Sequence, residues 1–326
     1  VNSPKIGVFQ EGSHALVDIP RCVVHHPLIN EVTAGVRQAI RATRTPPYSE
    51  SAHAGVLRAV QVVVERASQT AQVTLVTCSE DPAPAQELLG VTAELLGARL
   101  HSLWWNGNPE RTNRVLGPHW SKIRGRDTVV DVMGGAEIHF PPDAFGQANP
   151  DLAARIVEQI HAWVPEGARV LELYAGVGAI GLGLLAKGCD VIFNEIGPGS
   201  LRGLSHGLEV ALAHAERQPG SDAGSSMPRP RGAHVLPGPA EEFVDRAAAV
   251  DVVIVDPPRK GLGPEVVAGL LAARPDRLIY VSCGFEAFEQ EALALESAFR
   301  LEAVVAYGLF PFTDHVETLA LFRARR

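Results

Sequence analysis

Cys283 closes the apolar run Leu278-Ile-Tyr-Val-Ser-Cys283, so a thiol stands where a β-strand is expected to end. Asp256-Pro-Pro-Arg-Lys-Gly261 lies upstream of it and His315-Val-Glu317-Thr downstream. A cysteine in such a place is usually a small buried hydrophobe. In an open α/β sheet, however, ligands bind outside the carboxyl ends of the strands, and these two segments would bring carboxylates and a guanidinium to that edge. A thiol beside a carboxylate suits chemistry on a pyrimidine ring. The thiolate adds to carbon-6, carbon-5 becomes nucleophilic, and a base later removes the carbon-5 proton. Covalent catalysis at Cys283 is the starting expectation, with Arg259 or a helix N-terminus near the strand end favouring the thiolate.

A second group of residues has the spacing of a nucleotide-type cofactor site. Leu171-Glu-Leu-Tyr-Ala-Gly-Val-Gly178 combines a strand, a glycine turn and a helix start, and Gly176, Gly178 and Gly181 complete G-x-G-x-x-G. Glycines let the backbone pass close to a ligand, and a helix N-terminus attracts negative charge. Glu195 follows about 20 residues on, at the end of the next strand, where an acid can hold both ribose hydroxyls. NAD and S-adenosylmethionine both fit that geometry, and the turn does not choose between them. The segment Asp256-Pro-Pro-Arg259 discriminates further. Amino-group methyltransferases place an aromatic residue after the prolines to stack on the target base, whereas this chain has Arg259.

The elements that must position these residues are legible in outline. From Pro150 onward a helix is expected over Asp151–Val164 and strands over Arg169–Tyr174, Asp190–Glu195, Asp251–Asp256, Arg277–Cys283, Leu301–Tyr307 and Glu317–Arg323. A helix running to Lys187-Gly188 should follow the glycine turn. Strand–helix alternation of this kind builds a doubly wound, mostly parallel sheet, and the short link before the last strand favours an antiparallel final pair. Ahead of it, Val56–Val64, Val73–Val76 and Leu100–Trp105 read as strands and Pro82–Leu96 as a helix ending at Gly97. This is a separate, smaller α/β domain. The turn at Gly134-Gly135 and the pair Pro141-Pro142 place the boundary near 140, giving domains 1–140 and 141–326. Residues 218–232 read as a flexible surface insertion.

The chain has 326 residues, of which 46% are hydrophobic and 20% charged, so it is globular and long enough for two domains. No apolar run is long enough to cross a bilayer, and the first residues lack the order of a secretory signal. The four scattered cysteines (Cys22, Cys78, Cys189, Cys283) show no disulfide or zinc spacing, which points to a reducing cytoplasm and no metal site. A formal charge of −8 argues against a nucleic-acid binder that is basic throughout. It leaves room for a local basic face: between Asn108 and Arg126 there are five cations and one acid, with Trp104, Trp105 and Trp120 beside or among them. That strip reads either as a solvated rim over a tryptophan core or as a phosphate-contacting surface with aromatics for unpaired bases.

Taken together these residues resemble the RNA 5-methyluridine methyltransferases, which act on transfer RNA and large-subunit ribosomal RNA. The matching segments are Phe145-Gly-Gln147-Ala-Asn149, Leu173-Tyr174-Ala-Gly-Val-Gly178, Asn194-Glu195, Asp256-Pro-Pro-Arg-Lys-Gly261, Val281-Ser-Cys283 and Leu309-Phe-Pro-Phe-Thr-Asp-His-Val-Glu317-Thr. Weaker likenesses occur at Gly12-Ser-His14, Val17-Asp-Ile-Pro20 and Asn108-Pro-Glu-Arg-Thr-Asn113. The resemblance implies a class I, Rossmann-like methyltransferase sheet preceded by a smaller α/β RNA-binding domain. It implies that Gln147, Tyr174, Gly176, Glu195 and Asp256 form the S-adenosylmethionine site, that Cys283 is the nucleophile and Glu317 the proton acceptor, and that the substrate is a uridine in structured RNA.

The chain also departs from the family. Gly284-Phe285 stands where relatives carry Asn-Pro or Asp-Pro after the catalytic cysteine, which alters the loop that shapes the target pocket. Ala175 replaces a common cysteine. The upstream cysteine group of the iron–sulfur members is absent, so no iron–sulfur cluster is expected and Cys22, with His25 and His26, reads as structural. The oligonucleotide-binding TRAM barrel found ahead of many relatives has no counterpart in the sequence, and Val1 in place of a starting methionine suggests a piece of a longer chain. Two other functions compete. An NAD-linked oxidoreductase would use the same glycine turn, but the Pro-Pro-Arg and Ser-Cys strand ends count against it. A relative that binds or remodels RNA without methylating it would account for the changed loop, but both catalytic residues are retained.

Overall fold

The computed structural model describes residues 4–217 and 232–325, and the insertion expected at 218–232 lies, from 218 to 231, outside the described residues. The chain divides into two compact units, Val1–Asp131 and Val132–Arg326. Residues 132–140, assigned from the sequence to the first domain, therefore belong with the second.

The first unit opens with the antiparallel hairpin β1 (Gly7–Phe9) and β2 (Leu16–Asp18), followed by helix α1 (Pro27–Thr43). Pro27 suits the first turn of α1, where its missing N–H costs nothing, and the His26 side chain accepts the Leu28 N–H. The helix buries Leu28, Val32, Val36, Ala39 and Ile40, a stripe of helical period, and ends at Arg44 in the left-handed region. Strands β3 (Leu57–Glu65) and β4 (Thr70–Thr77), helix α2 (Gln86–Leu96) and strands β5 (Leu100–Gly107) and β6 (His119–Gly125) complete the unit. They form a four-stranded sheet in the order β3-β4-β5-β6, with only β4 and β5 parallel. Val32, Val36, Leu75, Leu88, Leu103 and Trp105 are among the side chains of its core.

Strands β7 (Val129–Met133) and β8 (Ala136–Phe140) form a hairpin at the boundary, turning at Gly134-Gly135. The second unit continues through α3 (Pro150–Trp163), β9 (Arg169–Leu173), α4 (Gly181–Leu185), β10 (Asp190–Glu195), α5 (Pro198–Arg217) and β11 (Ala233–Pro237). It ends with β12 (Val252–Val255), α6 (Pro264–Ala273), β13 (Arg277–Ser282), α7 (Phe285–Leu295), β14 (Phe299–Tyr307) and β15 (Glu317–Ala324). The seven strands are ordered β11-β10-β9-β12-β13-β15-β14, and β15 runs antiparallel to both neighbours. The antiparallel final pair is as the short link required. The edge strand β11, hidden behind the insertion, is an addition to the six strands read from sequence.

The sheet is covered on both faces, which explains why β12 is the unbroken apolar run Val-Val-Ile-Val with every residue buried. Alternation still assigns the faces: Val170, Ile254 and Ile279 pack on one side, and Leu171, Val253 and Leu278 on the other. From β9 the chain winds outward through β10 to β11 and then returns to β12 on the opposite side of β9. This reversal opens a crevice at the carboxyl ends of β9 and β12.

Candidate active site

Register brings the residues of interest to that crevice. Leu173, the last residue of β9, pairs with Asn194 of β10 on one side and Val255 of β12 on the other, and Val255 pairs with Tyr280 of β13. Tyr174 and Asp256 are thus the next residues beyond their strand ends, and Glu195 is the last residue of β10. On β13, Ser282 pairs with Thr318 of antiparallel β15, so one further step sets Cys283 opposite Glu317. Residues separated by more than 100 positions in the chain meet along one edge.

The turn after β9 is built to hold backbone amides toward this edge. Tyr174 has φ 61°, a conformation costing a bulky residue about 1–3 kcal/mol. Gly176 follows at φ 58°, and a Cβ placed there would meet nothing within 4 Å, so the turn faces open space. The Glu195 carboxylate organises it: Oε2 accepts the Gly176 N–H at 2.8 Å, and Oε1 accepts those of Ile196 at 2.8 Å and Gly197 at 2.5 Å. The helix expected to run to Lys187-Gly188 is only the five-residue α4, preceded by a long turn. A Cβ at Gly181 would collide with the Glu172 carboxylate and one at Gly183 with the Gly134 carbonyl oxygen, so this short helix packs closely against both. The anchoring thus falls to the turn amides and Glu195.

Two carboxyl groups and one thiol crowd the crevice. Asp256 is pushed up to about 8, first by burial and then by the negative charge of Glu317. Burial also raises Glu317, against the Arg259 guanidinium, which lowers it. Glu317 is 1% exposed and its Oε1 has no hydrogen-bond partner among the described residues. An orphaned acceptor aimed at a strand-end crevice is what a proton-accepting site requires. Cys283 is half-buried, and its thiol is raised by burial, then by Glu317 and Asp256, with Arg259 opposing. Arg259 acts in the expected direction, but the expectation of a net thiolate-favouring setting is corrected: desolvation and two carboxylates outweigh one guanidinium.

Gln147 sits half-buried in the loop before α3, and among the described residues it makes no hydrogen bond to the groups above. In the first unit, Trp105 is 2% exposed and donates to Thr77 Oγ1 at 2.7 Å, so it belongs to the core. Lys122, Arg124 and Arg126 are exposed on or just after the edge strand β6. The Cys22 backbone is tied to Asn30 at both its N–H, 2.8 Å, and its carbonyl, 2.9 Å. A shallow depression of about 340 Å³ along α5, lined by Leu201, Arg202, Ser205, His206 and Glu209, contains none of the groups at the strand edge. Its openness and lack of converging buried polar groups make it the poorer site.

Two acids escaped the sequence reading. Glu172, within β9, is 2% exposed and raised to about 8 by burial, then by Asp256. An acid inside an otherwise apolar parallel strand was the signal for it. Glu291 on α7 gave none, because its surroundings are assembled from three separate segments.

Comparison with known proteins agrees with this architecture. The structure superposes on the Pyrococcus abyssi tRNA (uracil-54, C5)-methyltransferase in complex with S-adenosyl-L-homocysteine with a TM-score of 0.76, at 23% identity, over 96% of this chain and 72% of that one. The fold is that of the class I methyltransferases. The sequence model described as tRNA (Uracil-5-)-methyltransferase matches residues 239–325. An uncharacterized RNA methyltransferase of Protochlamydia amoebophila is 36% identical over 98% of this chain and 82% of its own length. One from Halalkalibacterium halodurans is 27% identical over 97% of this chain, which spans 66% of that protein. The chain belongs to the RNA methyltransferase family of the Protochlamydia amoebophila relative.

Proposed function

We propose that this protein methylates carbon-5 of a uridine in structured RNA, transfer or ribosomal, in the cytoplasm, through a covalent bond between Cys283 and the uracil. The observation that carries the reading is the β13–β15 register, whose last pair, Ser282 and Thr318, leaves Cys283 and Glu317 as the next residues on either side, with one Glu317 oxygen buried and unpartnered among the described residues. S-adenosyl-L-methionine, when bound, supplies an electrophilic methyl group. The strand edge suits such a cofactor on its own chemistry: open space over Gly176, a carboxylate at Glu195 fixed by three amides, and the half-buried Asp256. Tyr174, Gly176, Glu195 and Asp256 would hold it, with Gln147 from the loop before α3.

The protein's own residues then divide the work. Cys283, as thiolate, adds to carbon-6 and pushes electron density onto carbon-5 and the neighbouring carbonyl oxygen. Arg259 favours the thiolate and offsets the negative charge of the crevice. After carbon-5 is methylated, Glu317 takes its proton, the carbon-5–carbon-6 double bond re-forms, and Cys283 leaves as thiolate. Carbon-6 is hidden within a duplex, so the uridine must lie in a loop or be flipped out. Nucleoside mass spectrometry of RNA from cells with and without the gene tests this. Loss of 5-methyluridine at a mappable position is expected. Unchanged 5-methyluridine with loss of a different methylated nucleoside would refute it.

A further inference from the structure

Glu291 lies on α7, about two turns beyond Cys283. Its Oε1 accepts the N–H groups of Leu262 at 2.7 Å and Gly263 at 3.1 Å, and its Oε2 accepts the Tyr280 hydroxyl of β13. The Tyr174 hydroxyl donates to the Leu262 carbonyl at 3.3 Å. Gly261, at φ 82°, lies against the same carboxylate, leaving no room for a side chain. The other end of this loop is held at Gly284, where a Cβ would run into the Arg259 carbonyl oxygen. The segment from Asp256 to Gly263 thus passes close to the residue after Cys283 at Arg259, and is held at Leu262-Gly263 by a carboxylate on the helix that follows.

We infer that Glu291 is a positioning residue for uracil methylation: through Leu262, Gly263 and Tyr280 it fixes the loop that presents Arg259 to Cys283 and Glu317. The inference rests on the function proposed above. Cys283 faces Glu317 from β15, Asp256 from the end of β12 and Arg259 from this loop, and Arg259 is the cation that opposes the two acids. Arg259 is itself exposed, so its influence on the thiol depends on where the loop holds it, and a loop released from Glu291 lets the guanidinium move away from Cys283 and be screened by water. Glycine at 284 leaves room for the loop to approach the strand end closely at Arg259.

The test is the pH dependence of Cys283 alkylation by iodoacetamide in the full chain, read by mass spectrometry of the Cys283 peptide. Glu291→Ala is expected to raise the midpoint by about one pH unit and slow alkylation at neutral pH roughly tenfold, because only the thiolate reacts. Glu291→Gln, whose amide can accept from the loop N–H groups and donate to Tyr280, is expected to stay within about twofold of the unaltered chain. Tyr280→Phe removes a single contact and is expected to shift the midpoint the same way by less. Arg259→Ala should reproduce the Glu291→Ala shift, and the double variant should add little to either. A Glu291→Ala midpoint equal to that of the unaltered chain overturns the inference, as does full additivity with Arg259→Ala. A parallel incubation of the unaltered chain with 5-fluorouridine RNA and S-adenosylmethionine separates the two ideas. A covalent adduct there supports the proposed function whatever the alkylation shows, and its absence removes that function and the positioning role with it.

Discussion

Cys283 and Glu317 stand opposite one another at the end of antiparallel strands β13 and β15, one step past the pair Ser282 and Thr318. The antiparallel hand of β15 is what makes this juxtaposition. In an all-parallel sheet the residue at the start of a strand would lie at the far, amino-terminal edge. Because β15 enters the sheet from the carboxyl edge, its first residue shares that edge with the last residues of the other strands. A nucleophile and a base can therefore sit on rigid elements, each fixed by a ladder of backbone hydrogen bonds.

In the proposed mechanism the two residues act at different steps, so their variants should fail differently. Cys283→Ala is expected to abolish methylation and to form no adduct with 5-fluorouridine RNA. Glu317→Gln should still attack and methylate but stall before release, accumulating an RNA–protein adduct on denaturing gels. An adduct from Cys283→Ala equal to that of the unaltered protein would assign the nucleophile elsewhere.

Stability should fall as pH rises across the neutral range. Glu172 and Asp256 are both pushed up to about 8 by burial, whereas the unfolded chain loses these protons near pH 4. Between those values the folded state holds more protons than the unfolded one, so raising pH favours unfolding, by at most about 1.4 kcal/mol per pH unit for each group. Urea denaturation between about pH 5 and about pH 8 measures the slope. Glu172→Gln should flatten it, and a slope unaltered by this change would mean that Glu172 is ionised in the folded protein.

Glu195 is expected to govern cofactor affinity through the turn as well as by direct contact. Glu195→Ala frees the N–H groups of Gly176, Ile196 and Gly197, so S-adenosylhomocysteine binding should weaken by about 1–3 kcal/mol. Titration calorimetry gives the comparison. Unchanged affinity would show that neither the carboxylate nor the turn it organises touches the ligand, and saturable NAD binding without S-adenosylhomocysteine binding would overturn the cofactor assignment altogether.

Much of this was legible in the sequence because the site is carried by strand ends. Apolar runs that finish on Tyr174, Glu195, Asp256 and Cys283 declare both the strand and the edge, and parallel order then aligns them. What sequence spacing did not convey was environment. Arg259 follows Asp256 closely, yet its cation is outweighed at Cys283 by burial and two acids, a balance set by the packed sheet. The helix after Gly178 was overextended, and the close packing of Gly181 and Gly183 against Glu172 and Gly134 is a contact that only the fold makes. Glu291 depends on Leu262, Gly263 and Tyr280, residues that only the fold brings to one carboxylate.

The exposed cations at the edge of the first unit's sheet are expected to contact RNA phosphates. Lys122 and Arg124 lie on β6, the outermost strand, and Arg126 follows it. Lys122 pairs with Asp127 at 2.5 Å, which leaves Arg124 and Arg126 as the better candidates. Their guanidinium groups extend from an edge strand whose exposed side chains are largely polar, so their removal should leave the core intact. Each phosphate contact releases condensed counterions, and the logarithm of affinity then falls linearly with the logarithm of salt concentration. Reversing both residues to glutamate should weaken RNA binding and make that slope shallower by about one to two. Binding measured across a salt series by fluorescence anisotropy provides the slope. If affinity drops while the slope stays fixed, the strip does not contact phosphate and its cations serve the unit's structure instead.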